Sequence, residues 1–207
     1  MQSNATKRTI LWTVSLGVMR WEQLFADLES QFTAAGADHG LVESASRERA
    51  EYGRLRLVDR LRAASGHPVT VTCRGAGDVA GRLVDVGVDW LLLVDAQERD
   101  VLVAAAAVRA VGGLGTRTAA ADGLSAVERR LDLRRALRGL ARDRATVQCL
   151  LDDGTTVTGT VDRVGADFLE LAEHAAEEPR RRGSVTAVRA IVLAAVAVVR
   201  TVRPALD

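Results

Sequence analysis

The sequence predicts an α+β fold, mostly β, with two tandem helix-plus-small-β-barrel modules after an N-terminal helical segment. The first supporting observation is an internal repeat: residues 152–171 align without a gap on residues 74–93, at a shift of 78 positions. The second is the alternation of apolar and polar residues in short runs of both copies, which is the period of half-buried strands. The third is a helical apolar pattern that precedes each copy.

Changes of composition along the 207 residues divide the chain into segments. In order, we expect an extension that is disordered or non-native (1–19), a helical segment (20–66), the first small β-barrel (67–112), a Gly-rich linker (113–124), and a helix followed by the second small β-barrel (125–203). The apolar run 10–19 is too short to span a bilayer. We therefore interpret 1–19 as an extension before a start at Met19, and a membrane anchor is the alternative.

Two helices are expected before the first barrel. The first is amphipathic, because its apolar residues lie on one stripe at helical spacing: Trp21, Leu24, Phe25, Leu28 and Phe32. Glycines interrupt the pattern after this stripe, and a second helix is expected over 41–64, where a Gly-His-Pro run ends it. An unpartnered amphipathic stripe is a good surface for another protein. Trp21, Leu24, Phe25 and Leu28 are therefore candidate interface residues.

Five short strands are expected in the first barrel, over 69–73, 79–86, 90–94, 100–103 and 108–111, with an Ala-rich corner before the last. The second module starts with a capping box, Ser125 and Glu128, that predicts a helix over 125–142. Its first strand alternates like that of the first copy, and Asp153-Gly154 predicts a hairpin turn. After a longer polar loop, strands are expected over 185–192 and 196–202. Residues 191–196 match 103–108 at a shift of 88.

A glycine, a second glycine five residues later and a tight turn before an apolar strand recur in the repeat. In the second copy the residues that form this pattern are Gly154, Gly159, Val161, Val164, Asp167, Phe168, Leu169 and Leu171. The pattern resembles the first motif of the Sm-like proteins, within the superfamily of SH3-like small β-barrels, and it covers about twenty residues in each of two tandem copies. The resemblance implies a small barrel in each copy.

The residues that the Sm-like family uses to bind RNA are not found at the matching positions. The resemblance would place an Asp in the turn and an Asn just after it, where this chain has Gly87 and Leu91 in the first copy, and Gly165 and Leu169 in the second. The Arg-Gly pair of the second family motif is also replaced, by alanines in one copy and by Val192-Leu193 in the other. The usual RNA pocket of this family is therefore not predicted.

Strand parity places Trp90 and Phe168 on the face opposite to the leucines beside them. Because Glu170 shares that face, we expect both aromatic side chains to lie outside the barrel core. They then pack against the preceding helix or the sister barrel, or they anchor a partner protein. Both are candidate interface residues.

Composition and motifs disfavour an enzyme. The formal net charge of +1 gives no general attraction to nucleic acid or to anionic lipid. The three histidines are isolated from one another in the sequence, and no metal-ligand spacing or nucleophile motif is present. We therefore expect no catalytic residue, no cofactor, no metal and no small-molecule substrate. The two cysteines lie in predicted strands and do not form a disulfide framework, which favours a reducing cytoplasm.

An arginine row along the predicted helix 125–142 is the main candidate for nucleic-acid contact. Its residues are spaced by four, and three more arginines lie in the long loop: Arg130, Arg134, Arg138, Arg142, Arg180, Arg181 and Arg182. Arginine supplies nearly all the basic charge, with Lys7 as the only lysine. This is typical of a bacterium with a GC-rich genome and weakens the signal. A solvated or partner-facing charged helix is the favoured interpretation.

Together these features predict a non-enzymatic cytoplasmic binding or scaffold protein. The tandem small barrels and the amphipathic N-terminal helix would make contacts with a protein partner or with further copies of the chain. The alternative is an RNA- or DNA-binding protein of Sm-like type that uses the arginine row.

Overall fold

The structure, a computed structural model, describes Ala26 and residues 39–116, 118–119, 131–178 and 180–202. These residues fall into two compact units, divided between Arg54 and Leu55. In the first unit, helix α1 (His39–Tyr52) ends at Gly53, whose N–H donates to the Arg49 carbonyl at 2.9 Å. None of the described helices is long and apolar enough to cross a membrane.

The single helix predicted over 41–64 is wrong, because two helices occupy this range. Helix α2 (Leu57–Ala63) begins in the second unit after its N-cap Arg56. The Arg56 N–H donates to the Asp59 carboxylate at 3.1 Å, which satisfies one of the backbone N–H groups at the start of the helix. Gly53 disfavours continuation of α1 because glycine carries a large entropic cost in a helix interior.

The second unit contains ten described strands, and the strands predicted from alternation are confirmed to within a few residues. Their bounds are β1 (Pro68–Cys73), β2 (Gly77–Val86), β3 (Trp90–Val94), β4 (Asp100–Ala104), β5 (Val108–Gly112), β6 (Thr146–Leu151), β7 (Thr156–Val164), β8 (Phe168–Glu173), β9 (Ala187–Val192) and β10 (Val196–Thr201). A 3₁₀ turn precedes β5, at Ala105–Ala107, and another precedes β10, at Leu193–Ala195. Helix α3 (Leu133–Arg142) precedes β6.

The predicted architecture of two separate helix-plus-barrel modules after an N-terminal helical segment is wrong. All ten strands belong to one antiparallel sheet with the order β5-β1-β2-β3-β4-β10-β6-β7-β8-β9. Strand β4 of the first copy pairs directly with β10, the last strand of the second copy. Local sequence patterns show which residues form strands, but they do not show which distant strand lies alongside.

The internal repeat is nevertheless visible in the registers. In the first repeat (β1–β5), Cys73 pairs with Val108, and a bulge follows before Thr72 pairs with Ala110. In the second repeat (β6–β10), Leu151 pairs with Val196, and a bulge again separates this pair from Leu150 and Val198. Each strand of one repeat therefore has a counterpart in the other: β10 corresponds to β5, and β9 corresponds to β4.

The hydrophobic core lies along this sheet and beneath α3. Its largest fully buried side chains include Leu83, Leu93, Leu169 and Leu171 from the strands and Leu137 from α3. Helix α3 packs on β7. It begins after the N-cap Asp132, whose carboxylate accepts the Arg135 N–H at 2.9 Å. The predicted N-cap Ser125 lies outside the described residues.

We expect Asp132→Ala to lower the free energy of unfolding by about 1 kcal/mol, because the substitution removes the N-cap of α3. Partial burial alone would raise the pKa of the Asp132 carboxyl, but the Arg135 N–H and the Arg134 guanidinium lower it below its usual value. The Asp132 carboxylate therefore stabilises the folded chain fully at pH values above the usual carboxyl pKa. This stabilisation is lost as the pH falls through the lowered pKa of the folded chain. Urea unfolding at several pH values measures it.

A matched control lies at the other end of the same helix. Asp143 is exposed, and its negative charge is at the C-terminal end of the helix dipole. We therefore expect Asp143→Ala to leave the stability unchanged or slightly raised. A loss with Asp132→Ala that does not shrink at low pH would contradict the role of the carboxylate.

Candidate protein-interaction surface

The pairing of β4 with β10, which we call the internal junction, shows how the two repeats attach to each other. Three residue pairs form it: Val103 with Val198, Leu102 with Val199, and Val101 with Arg200. Val101, Val103 and Val198 have no exposed surface, and Leu102 is only 6% exposed. Apolar side chains are thus buried on both faces of this strand pair.

A second contact between the repeats accompanies the internal junction. The Trp90 indole Nε1 donates to the Leu131 carbonyl at 2.7 Å, and the Leu133 N–H donates to the Asp89 carboxylate at 2.7 Å. The turn before β3 in the first repeat therefore holds the residues at the start of α3 in the second. An ion pair between Arg74 and Asp152, at 3.0 Å, joins the first hairpin turns of the two repeats.

Strand β9 is one end of the sheet, and we call its unpaired side the β9 edge (Ala187–Val192). No other described strand pairs with it besides β8. Val188 is 61% exposed and Val192 is 56% exposed. Val192 is the counterpart of Ala104, which is 4% exposed. The same position is thus buried in the first repeat and exposed in the second.

Strand β5 is the other end, and its unpaired side is the β5 edge (Val108–Gly112). It pairs with β1, and within the described part of the chain its other side has no partner strand. Ala110 is exposed, whereas its counterpart Val198 is fully buried at the internal junction. The two ends of the sheet are therefore the exposed counterparts of the two strands that pair inside the chain.

The described part of each edge has few of the features that usually prevent strand pairing, although β5 carries the bulge beside Cys73. Natural edge strands are protected by prolines, bulges, inward charges or covering segments. Each edge carries one charged residue, Arg109 or Arg189. The Arg189 guanidinium is held at 2.7 Å by the Glu173 carboxylate of the neighbouring strand. Neither edge contains a proline, so their backbone N–H and C=O groups remain suited to pairing with another strand.

The candidate interface residues from the sequence separate into three cases. Trp90 is only 8% exposed and belongs to the hydrophobic core, with its indole N–H bonded to the Leu131 carbonyl before α3, so the expectation that it lies outside the core is wrong. Phe168, at the matching position of the second repeat, is 37% exposed. The predicted stripe lies outside the described residues: Trp21, Leu24, Phe25 and Leu28.

The arginine row is partly neutralised by acidic neighbours. Among the candidates, Arg134 pairs with Asp132 at 3.0 Å, Arg142 with Asp143 at 3.6 Å, and Arg180 with Asp162 at 2.6 Å. Arg138, Arg181 and Arg182 are exposed, and Arg130 lies outside the described residues. Half of the six described candidates thus already have a carboxylate partner.

No metal-binding cluster is found in the part of the chain that the structure describes. No group of three or more His, Cys, Asp or Glu side chains in it is arranged to hold a metal ion. His174 is buried and forms hydrogen bonds with the Thr160 hydroxyl and the Ala175 carbonyl. Burial, with the nearby Asp78 charge, raises the pKa of Cys73 to about 11, and burial raises that of Cys149 to about 12. Both thiols are therefore protonated and poor nucleophiles at neutral pH.

No protein-family model matches the chain, and no curated protein matches it in sequence. The resemblance to Sm-like proteins thus stays a prediction based on the repeated motif. The two sheet edges and the internal junction are the described features that bear on function.

Proposed function

We propose that this protein is a non-enzymatic scaffold whose sheet edges bind other protein chains by strand pairing. The observation that carries the proposal is the exposure of apolar residues along the β9 edge at positions whose counterparts in β4 are buried. A sheet edge with free backbone groups takes up an added strand, with the main-chain hydrogen bonds supplying affinity and the flanking side chains supplying specificity. We place the protein in the cytoplasm, since its two cysteines are free and buried.

Two further features support a binding role. No described group of His, Cys, Asp and Glu side chains is arranged to hold a metal ion, and the exposed Phe168 provides an apolar side chain near the β9 edge. Phe168 pairs directly with Val192, so the two exposed residues extend one apolar surface. The stripe of Trp21, Leu24, Phe25 and Leu28 remains a second predicted contact surface.

Substitution of Ala190 tests this proposal. Ala190 lies in the middle of β9, is exposed, and is opposite Glu170 in the neighbouring strand. We expect Ala190→Lys to be tolerated in the free chain, because the lysine faces an acidic residue. In a complex the same lysine would be buried beside an added strand, and we expect more than about tenfold weaker binding. Affinity capture from the native host, with quantitative mass spectrometry, measures the loss of partners.

Val188→Lys is the matched control. Val188 is on the same strand and is 61% exposed, and its counterpart Asp100 remains exposed even at the internal junction. We therefore expect this variant to recover the same partners as the wild type. Equal recovery with Ala190→Lys would contradict the proposal.

A filter-binding titration with RNA and DNA at two salt concentrations tests the alternative that the protein binds nucleic acid. It requires salt-sensitive binding that the double variant Arg134→Ala, Arg138→Ala loses. The ion pairs of Arg134, Arg142 and Arg180 make this outcome less expected than strand pairing.

A further inference from the structure

The two repeats differ at the turn that follows their third strand. In the first repeat this turn borders an open cavity of about 400 Å³. In the second repeat the side chain of His174 is buried at the equivalent place, with its Nε2 at 2.9 Å from the Thr160 hydroxyl. Thr160 and His174 correspond to Arg82 and Ala96, which both line the cavity. The cavity therefore lies where an imidazole ring lies in the second repeat.

The strand registers confirm that the two places are equivalent. Arg82 pairs with Val94 as Thr160 pairs with Ala172. Ala172 has no exposed surface, whereas Val94 is half-buried. The connection to the next strand explains the difference, because it is longer in the second repeat (174–186) than between β3 and β4. The longer connection begins with the ring that fills the site, and the shorter one leaves the site open.

The lining of the cavity is largely apolar and open to solvent. Its floor includes Pro68, Ala80 and Ala96, which are exposed, and Val94. A planar ring bound on this floor removes apolar surface from water, as the buried ring of His174 does in the second repeat. The volume falls within the range of small-molecule sites. The first repeat can therefore take from a ligand the ring that the second repeat supplies itself.

Two charged side chains at the cavity are available to a ligand. Arg82 and Glu98 are exposed and opposite in charge, and within the described residues neither side chain forms an ion pair or a hydrogen bond. The third charged residue, Asp95, is already engaged. Its carboxylate pairs with the Arg99 guanidinium at 2.7 Å and accepts the Gln97 N–H at 2.9 Å. The cavity therefore offers a ligand the Arg82 cation and the Glu98 carboxylate.

We propose that this cavity binds a small zwitterion with a planar ring, the class of the free aromatic amino acids. The ligand carboxylate pairs with the Arg82 guanidinium, which suits a carboxylate because it donates two parallel N–H groups. The ligand ammonium pairs with Glu98, and the ring lies on the apolar floor. None of these residues belongs to the β9 edge or the β5 edge, so the inference goes beyond the proposed function and does not depend on it.

Titration of the purified chain with L-phenylalanine, followed by amide chemical shifts, tests the proposal. We expect a dissociation constant of about 1 mM or below, with shifts at Gly81 and Ala96. The second repeat is the internal control: because its equivalent place is filled, we expect no shifts at Gly159 and His174. No saturable shift up to about 20 mM ligand, or shifts of equal size in both repeats, would overturn the proposal.

Three analogues separate the parts of the ligand. Phenylacetate lacks the ammonium, phenethylamine lacks the carboxylate, and glycine lacks the ring. Because each omits one proposed contact, we expect each to bind at least about fivefold more weakly than L-phenylalanine. Equal binding of any one of them would overturn the assignment of a zwitterion with a ring.

Substitutions of the two charged residues assign the polar contacts. Arg82→Gln and Glu98→Gln each remove one charge from an exposed side chain. We expect each variant to stay folded and to bind L-phenylalanine at least about fivefold more weakly. Arg109→Gln is the matched control, because Arg109 is exposed in the same repeat and does not line the cavity. Wild-type affinity in either charge variant, or an equal loss in the control, would overturn the proposed contacts.

Ala96→His tests the floor of the cavity with both charges in place. It puts in the first repeat the residue that occupies the equivalent position in the second. We expect its ring to compete with that of the ligand and to weaken binding at least about fivefold. Urea unfolding without ligand checks the fold, which we expect to be retained because Ala96 is exposed. The control Ala96→Ser keeps a small residue and is expected to bind like the wild type. Unchanged binding by a folded Ala96→His variant would overturn the placement of the ring.

Discussion

Val198→Asp is expected to unfold most of the population of the ten-stranded unit. Val198 is fully buried in β10 and pairs with Val103 on one side and with Leu150 on the other. A carboxylate there has no described cation opposite it and must lose its hydration or separate the strands. We expect a loss of at least about 4 kcal/mol, which is most of the stability of an ordinary domain. Circular dichroism and urea unfolding measure it.

The matched control for this substitution is Val188→Asp, which places the same side chain on β9. Val188 is 61% exposed, and its counterpart in the first repeat is already an aspartate, Asp100. We therefore expect this variant to unfold at the same urea concentration as the wild type. Loss of stability in both variants would point to a general effect of negative charge, and not to burial at the internal junction.

A milder substitution tests whether the two repeats unfold together. Val198→Ala removes two methyl groups and is expected to cost about 2 kcal/mol. Because β4 and β10 are adjacent strands of one sheet, amide protection in β3 should fall together with that in β6 and β7. Hydrogen exchange resolves these strands. Protection that falls only in the second repeat would mean that the repeats unfold independently and would contradict a single cooperative sheet.

The strands of this fold could be predicted from sequence because each is a local pattern. The alternation of Val69, Val71 and Cys73 with threonines marks β1, and the same pattern at Val147 and Cys149 marks β6. Trp90–Val94 was predicted with the bounds that the structure has. These patterns depend on neighbours in the chain, and the sequence contains them completely.

The pairing of β4 with β10 could not be predicted in the same way, since it joins residues about a hundred positions apart. One signal for it was present. Val101–Ala104 and Val196–Val199 are uninterrupted apolar runs, which indicate strands buried on both faces. The segments that correspond to these two runs, 189–192 in β9 and 108–111 in β5, are each interrupted by an arginine. A comparison of the apolar runs in β4, β5, β9 and β10 therefore distinguishes the central strands from the edge strands. The position of a strand within its repeat does not distinguish them.

Trp90 and Phe168 show a second limit of prediction from sequence. Strand parity gives both residues the same direction relative to the strand, yet Trp90 is buried and Phe168 is partly exposed. The difference comes from the start of the next repeat, where the Leu131 carbonyl accepts the Trp90 indole N–H and the Leu133 N–H donates to the adjacent Asp89 carboxylate. Packing by a segment forty residues away is a tertiary effect that no local pattern contains.

Gly159→Ala is expected to cause the second large loss of stability, about 3 kcal/mol. Gly159 lies in β7 between β6 and β8, opposite Val147 and Glu173. A Cβ atom there would meet the Ala172 carbonyl oxygen and would lie 2.7 Å from Cδ2 of Leu171. Backbone is not free to move aside as a flexible side chain is, so β8 must shift. Urea unfolding measures the cost.

Two other glycines make the test specific. At Gly81, the counterpart in β2, an added Cβ would lie 2.6 Å from the Val94 carbonyl oxygen, so we expect Gly81→Ala to be destabilising but less so. At Gly139, inside α3, an added Cβ meets nothing within 4 Å. Gly139→Ala should therefore raise the stability by about 0.5–1 kcal/mol through helix propensity. A Gly159→Ala variant as stable as the wild type would contradict this explanation. It would mean that the close approach of β7 and β8 does not require glycine at this position. The repeated glycine would then belong to the motif for a reason other than packing.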